Sequence, residues 1–201
     1  MPYLTWTRSL TAAVTVAVAI GAATAAETVG VEGSSARFPV AMEVKVGEQP
    51  VRLTLTGAAL RKRAFITAYA VASYLQEGVK AKSADELVAA KGVKVLILVL
   101  ERDVTGKDIA DGMRTGVRLN YPADAFAREL AIVDQTLQNM RLRKGDRVTL
   151  TAAPGAGLRC QVGEMTDATV GDAKFARAVW DMYLGRTNLN DALKSGLVSR
   201  R

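Results

Sequence analysis

The sequence predicts an α+β fold: an antiparallel sheet with a layer of α-helices packed on one face, an open-faced sandwich. Three observations lead there. β-rich runs with alternating or continuous apolar character fall at 38–75, 93–100 and 147–170, and short Gly- or Pro-containing turns connect many of them. Apolar residues recur at helical spacing between and after those runs, at 107–119, 126–140 and 172–198. Strands that come in groups, with helices between and after them, form an antiparallel sheet covered by helices rather than a strictly alternating α/β sheet.

The chain opens on a segment that reads as a secretory leader. Met1–Arg8 carries one positive charge, Leu10–Ala23 is apolar or small apart from two threonines, and Ala23-Thr24-Ala25 has the small-x-small form of a cleavage site. A retained anchor is the alternative, but the apolar stretch falls short of the ~20 residues that span a bilayer. The expected organisation is therefore a signal peptide over 1–25, a flexible Gly- and Ser-containing lead over 26–35, and one domain over 36–201. Removal of the leader leaves about 175 residues, enough for a single hydrophobic core. Export implies a periplasmic protein in a bacterium.

Within the domain, Phe38–Val46 and Val51–Leu55 alternate as strands around the turn Gly47-Glu48-Gln49-Pro50. Gly57-Ala58-Ala59 looks like a turn between two apolar arms, and the second arm, Phe65–Leu75, reads as a central strand. Its alternation sets Thr67, Tyr69, Val71 and Ser73 on one face and Ala68, Ala70, Ala72 and Tyr74 on the other. Ser83 with Glu86 forms a capping box for a helix over 84–90, and VKVLILVL at 93–100 is a buried strand. Thr105 caps a helix over 107–119. Phe126, Leu130, Val133, Leu137 and Met140 form the core stripe of the next helix. Strands at 147–152, 158–162 and 164–170 then precede a helix from Asp172 to Gly185 and a last one capped near Asn190. Gly155-Ala156-Gly157 joins two strands and opens no helix, so it is not a phosphate loop.

Composition restricts the chemistry. The chain has no histidine and a single cysteine, which removes Ser-His and Cys-His pairs, histidine metal sites and internal disulfides. Cys160 lies in an apolar strand and reads as an inert core residue. No cofactor is expected; haem, a minor alternative, would need a tyrosine, a methionine or Cys160 as its axial ligand. The 27 Lys and Arg against 20 Asp and Glu are scattered, and aromatics make up 5% of the chain. No nucleic-acid partner is expected, and no stable membrane insertion once the leader is removed. Oligomeric state is not legible.

The remaining feature is cationic. Arg61, Lys62 and Arg63 interrupt an apolar region, so at least one positive charge stands at the margin of the core. A half-buried guanidinium requires a polar or anionic partner, because desolvation without one costs several kcal/mol. Tyr69 offers a phenol, and Glu101 and Asp103 are carboxylates that could pair with Arg61 as a purely structural bridge. Lys62 and Arg63 read as a solvated strand edge.

The stretch GAALRKRAFITAYAVASYL, with KGDRVTLTAAPGAGLRCQVGE and GDAKFARAVWDMYLGRTNLNDALKSGL, resembles the chalcone isomerase-like family over about 51–198. The resemblance is nearest to its exported bacterial members. It implies that Arg61 matches the arginine that orients a substrate anion in the plant enzymes and a ligand carboxylate in the fatty-acid-binding relatives. Tyr69 stands where the plant enzymes have a catalytic threonine and the binding relatives tend to have tyrosine. The catalytic tyrosine, lysine and asparagine of the plant enzymes are not matched; their places read Ile109, Gly112 and Gly116. The resemblance thus implies a non-catalytic protein that binds a small amphipathic acid, such as a fatty acid, in a cleft between sheet and helices. Arg61 and Tyr69 would hold the head group, and Ile109, Met113 and Met182 would contact the tail. Two alternatives stand beside it: an isomerase or lyase using Arg61 to stabilise an enolate, and an interaction protein whose cleft is filled by its own side chains.

Overall fold

Fifteen residues of unbroken strand run through the middle of the molecule where the sequence suggested a turn. The computed structural model describes residues 27–63 and 65–200, and the expected leader lies outside them. In chain order the strands are β1 (Thr28–Gly30), β2 (Arg37–Pro39), β3 (Ala41–Val46), β4 (Gln49–Arg63) and β5 (Ile66–Gln76), followed by helix α1 (Ala84–Ala89). Then come β6 (Lys94–Leu100), β7 (Val104–Thr105), α2 (Gly106–Val117), α3 (Ala127–Leu137), β8 (Arg141–Leu142), β9 (Arg147–Ala153), β10 (Gly157–Val162) and β11 (Thr166–Gly171). Helices α4 (Ala173–Leu184) and α5 (Asp191–Leu197) end the chain.

Seven strands form one sheet in the order β11-β10-β9-β6-β5-β4-β3, every neighbouring pair antiparallel. The alternation of β5 divides the protein into two packed layers. Val71 and Leu75 face the helices, where they meet Leu96, Leu150, Met113, Val133, Trp180 and Leu197. Ala70, Ala72 and Tyr74 face the opposite side, which Phe38 and Ala36 cover. Both faces of β5 are therefore buried from Ala70 to Leu75, as its apolar run implies.

The N-terminal residues depart from the flexible lead suggested by their composition. β1 pairs with β2, Val29 opposite Phe38, and Val29 and Val31 pack against the second face of the sheet. The run Phe38–Val46 is not one strand: the chain bends after Pro39, and its two parts belong to different sheets. The phenol of Tyr74 donates to the Pro39 carbonyl at 3.0 Å and fixes the bend against β5.

Gly57 explains the missing turn. The β4–β5 register shifts between Leu55 and Gly57, a bulge at Thr56. Thr56 Oγ1 donates within hydrogen-bonding distance of both the Ser73 carbonyl, at 3.0 Å, and the Leu197 carbonyl, at 2.9 Å. A Cβ on Gly57 would run into the backbone carbonyl of Gly196 in α5. Glycine here serves close helix approach within a strand, not reversal of the chain. The reversal falls seven residues later, between Arg63 and Ile66.

Four of the five helices among the described residues begin where a side chain satisfies a free N–H group, and α3 begins instead at Phe126, whose φ of 58° is left-handed. Ser83 Oγ accepts from Glu86 N at 3.1 Å, Thr105 and Asp108 form a reciprocal capping box, Asp172 accepts from Lys174 N and Phe175 N at 2.9 Å each, and Asn190 accepts from Leu193 N. Glu86 reaches back to Lys82 N rather than to the cap residue. Helix α4 is the central one. Phe175, Val179, Trp180, Met182 and Tyr183 are all buried, and Gly185 ends it.

Candidate functional site

The site follows from the length of β4. Because the strand continues past Gly57, Ala59 and Arg61 share the helix-facing side, and the ladder sets Arg61 directly opposite Tyr69 on β5. Arg61 and Tyr69, the two head-group candidates, thus stand side by side as cross-strand partners.

No carboxylate among the described residues comes within 4 Å of Arg61. Its Nη1 donates to the carbonyls of Lys62 and Leu189, at 3.2 Å each. Both acidic candidates for a structural bridge are engaged elsewhere. Glu101 accepts from Ser34 and lies 3.6 Å from the Lys144 ammonium, and Asp103 accepts from the backbone N–H of Lys144 at 2.9 Å. Arg61 therefore stands half-buried beside carbonyl dipoles, with no counter-charge among the described residues. A carboxylate arriving there would meet an unneutralised planar fork of donors.

A third group completes the site. The hydroxyl of Tyr69 lies 3.3 Å from that of Tyr183, on α4. Burial pushes the Tyr69 phenol above its ordinary value, which the Tyr183 hydroxyl and the Arg61 charge only partly offset. Tyr183 is raised well above its ordinary value, first by burial and then by Tyr69. Both phenols are thus held protonated at neutral pH and can donate hydrogen bonds; neither is tuned to remove a proton. The arrangement offers one fixed cation and two neutral hydroxyls, a set of hydrogen-bond donors suited to an anionic group.

The tail candidates are distributed differently. Met113 and Met182 are buried between α2, α4 and the sheet, while Ile109 is half-buried at that margin. Met182 lies across Gly116, where an added Cβ would come within 2.7 Å of its sulfur. Of the three positions aligned with catalytic polar groups, Gly116 serves helix packing, Ile109 makes apolar contact, and a Cβ at Gly112 would meet nothing within 4 Å. Surface cavities of about 340 Å³ and 320 Å³ flank α4 near Arg177, and neither is lined by Arg61 or Tyr69. In the first of them the Tyr121 hydroxyl donates to Asp181 at 2.6 Å.

Two polar side chains escaped the sequence-based selection. Tyr183 sits in an apolar helical stripe with Phe175 and Val179 and reads as core by spacing; only its hydroxyl contact from α4 to Tyr69 on β5 marks it. Lys94 opens a strand of continuous apolar residues, yet it is 7% exposed, and its ammonium donates to the Val88 carbonyl at 2.6 Å. Its signal in the sequence was a lone charge at the start of VKVLILVL.

Two comparisons identify the family and the fold. A family model described as chalcone isomerase-like matches residues 32–199. Among solved structures, a fatty-acid binding protein from Arabidopsis thaliana superposes with a TM-score of 0.65 at 16% sequence identity, covering 86% of this chain and 96% of that one. At that identity the likeness is one of fold. No curated protein matches.

Proposed function

The chain belongs to the chalcone isomerase-like family, and from that premise we propose that it is a non-catalytic, exported carrier or sensor of a small amphipathic acid such as a fatty acid. The observation that carries this reading is the uncompensated Arg61 guanidinium beside the protonated Tyr69–Tyr183 pair. Arg61 would take the carboxylate and the phenols would add hydrogen bonds. Met113 and Met182 would make room for the tail between α2 and α4, since unbranched thioethers repack at low cost. The fold neighbour's printed description as a fatty-acid binding protein supports the ligand class. The leader-like N-terminus supports export, hence a periplasmic location.

The packing of Met182 over Gly116 favours a second reading, a closed protein that binds no small molecule and acts through its surface. Native mass spectrometry of protein recovered after export, beside Arg61→Ala, separates the two. A bound acid on the wild type, weakened about tenfold to a hundredfold in a folded Arg61→Ala, supports the carrier. Wild-type protein that stays free of ligand when offered long-chain carboxylates would leave the closed reading in place.

A further inference from the structure

The exposed large apolar side chains among the described residues are three: Phe65 at 104%, Ile66 at 54% and Met165 at 52%. Single exposed apolar residues are ordinary, but these share one end of the molecule. Phe65 lies in the β4–β5 turn with Ile66 opening β5 beside it, and Met165 lies in the β10–β11 turn. The antiparallel ladder pairs Tyr69 with Leu100, Val99 with Arg147, and Val148 with Val162, so the start of β5, the end of β6, the start of β9 and the end of β10 align. Both turns project from that edge, about 19 Å apart across four strand spacings.

The same end is basic. Residues 61–66, 101–103, 141–147 and 163–166 hold eight Lys and Arg against four carboxylates. Lys62, Arg102, Lys144 and Arg147 are exposed. Three of the four carboxylates are engaged: Glu101 by Ser34 and Lys144, Asp103 by the Lys144 N–H, and Asp146 by the Arg143 N–H at 2.8 Å. Only Glu164 has no such tie. Apolar turn tips that share one end with exposed cations, of which Lys62, Arg102 and Arg147 have no carboxylate within 4 Å among the described residues, match a surface that is anionic at its plane and apolar just beneath it.

We propose that this end of the sheet docks peripherally on an anionic lipid bilayer, with Phe65, Ile66 and Met165 entering the headgroup boundary and the surrounding cations meeting lipid phosphates. A protein partner fits less well. The apolar groups stand on separate projecting tips, whereas a stable protein interface needs a continuous surface of roughly 800 Å² per partner. Interfacial membrane binding uses a few apolar side chains together with electrostatic attraction. The inference does not depend on acid binding, although Arg61 lies close to the β4–β5 tip and docking would bring the proposed head-group site near the membrane.

The test is vesicle sedimentation of the processed protein. Vesicles of phosphatidylethanolamine with phosphatidylglycerol are compared with phosphatidylcholine alone, at about 0.05 M and about 0.5 M salt. Expected is binding to the anionic vesicles only, lost at high salt, and reduced at least about tenfold in Phe65→Ser/Ile66→Ser and in Lys62→Glu. These sites are exposed, so an unchanged thermal midpoint confirms the variants as folded. Equal binding of wild type and double variant, no binding by wild type, or a dimer that the double variant abolishes would each overturn the proposal, the last by making the tip a contact between copies. Vesicle binding without any acid adduct would refute only the carrier reading, and the converse result only this one.

Discussion

Lys94 should give the protein an unusual pH dependence. Its ammonium is buried under α1 and α4, 2.6 Å from the Val88 carbonyl and 5.5 Å from the centre of the Trp180 ring, with no carboxylate among the described residues within 4 Å. Burial first, then the nearby Arg177 charge, lower its pKa from 10.5 to about 8, against a smaller opposing pull from Asp181. A lysine depressed in the folded state binds fewer protons there than in the unfolded chain. Its contribution to stability therefore rises with pH between about 8 and 10.5, and the full cost applies below that window. At about 1.4 kcal/mol per pH unit the whole interval is worth about 3 kcal/mol, of which about 1.3 kcal/mol is recovered between pH 7 and 9. Cys160 opposes it. Burial raises the thiol from 9.0 to about 11, so the unfolded chain loses that proton first and stability falls through the same region. Wild type should gain roughly 1 kcal/mol from pH 7 to 9 and then lose stability towards pH 10. Burial also raises the phenols of Tyr69, Tyr74, Tyr121 and Tyr183, and the unfolded chain gives up those protons first. Lys94→Met keeps the stem and removes the charge but leaves the thiol and the phenols, so it should lose stability throughout and fall about 1.3 kcal/mol further behind wild type between pH 7 and 9. Urea unfolding at each pH measures both curves. Parallel curves would refute the reasoning, because they would mean that the Lys94 ammonium stays hydrated in the folded protein.

Two further outcomes follow from packing. Gly57→Ala should lower stability by about 3 kcal/mol and the thermal midpoint by about 10 °C, since the added methyl must displace the Gly196 carbonyl and with it α5; a midpoint within a degree or two of wild type would show that α5 does not seat against β4. Cys160 should resist disulfide-exchange reagents at pH 8 in the folded state and react at once in denaturant, because burial keeps it a thiol; rapid native labelling would contradict its place in the core.

Most of the fold was legible because its signals are local. The capping residues Ser83, Thr105, Asp172 and Asn190 each start the helix their side chains suggested. The alternation of β5 placed Tyr69 and Val71 toward the helices and Ala70 and Tyr74 away from them. What failed to show in the sequence depends on partners distant along the chain. β1 is three residues long and exists through its pairing with β2, and the strands at Val104–Thr105 and Arg141–Leu142 exist only as a pair. Gly57 has turn chemistry by composition, and only α5, about 140 positions later, shows why a glycine is required in that strand.

That displaced turn also decides how the cationic cluster is used. With the reversal at Gly57, Arg61, Lys62 and Arg63 would begin a new strand as one charged group. With β4 running on to Arg63, the pleat separates Arg61 from Lys62. Arg61 is directed to the helices, where Leu189 and the phenols of Tyr69 and Tyr183 surround it, while Lys62 remains in solvent beside the exposed Phe65. Beyond Thr54, β4 pairs with β5 and not with β3, and the outward Lys62 charge discourages strand addition at the end of the strand. One run of three basic residues thereby provides an interior cation without a counter-ion and a basic collar around an apolar tip, two features that separate chemistries would recognise and separate substitutions can remove.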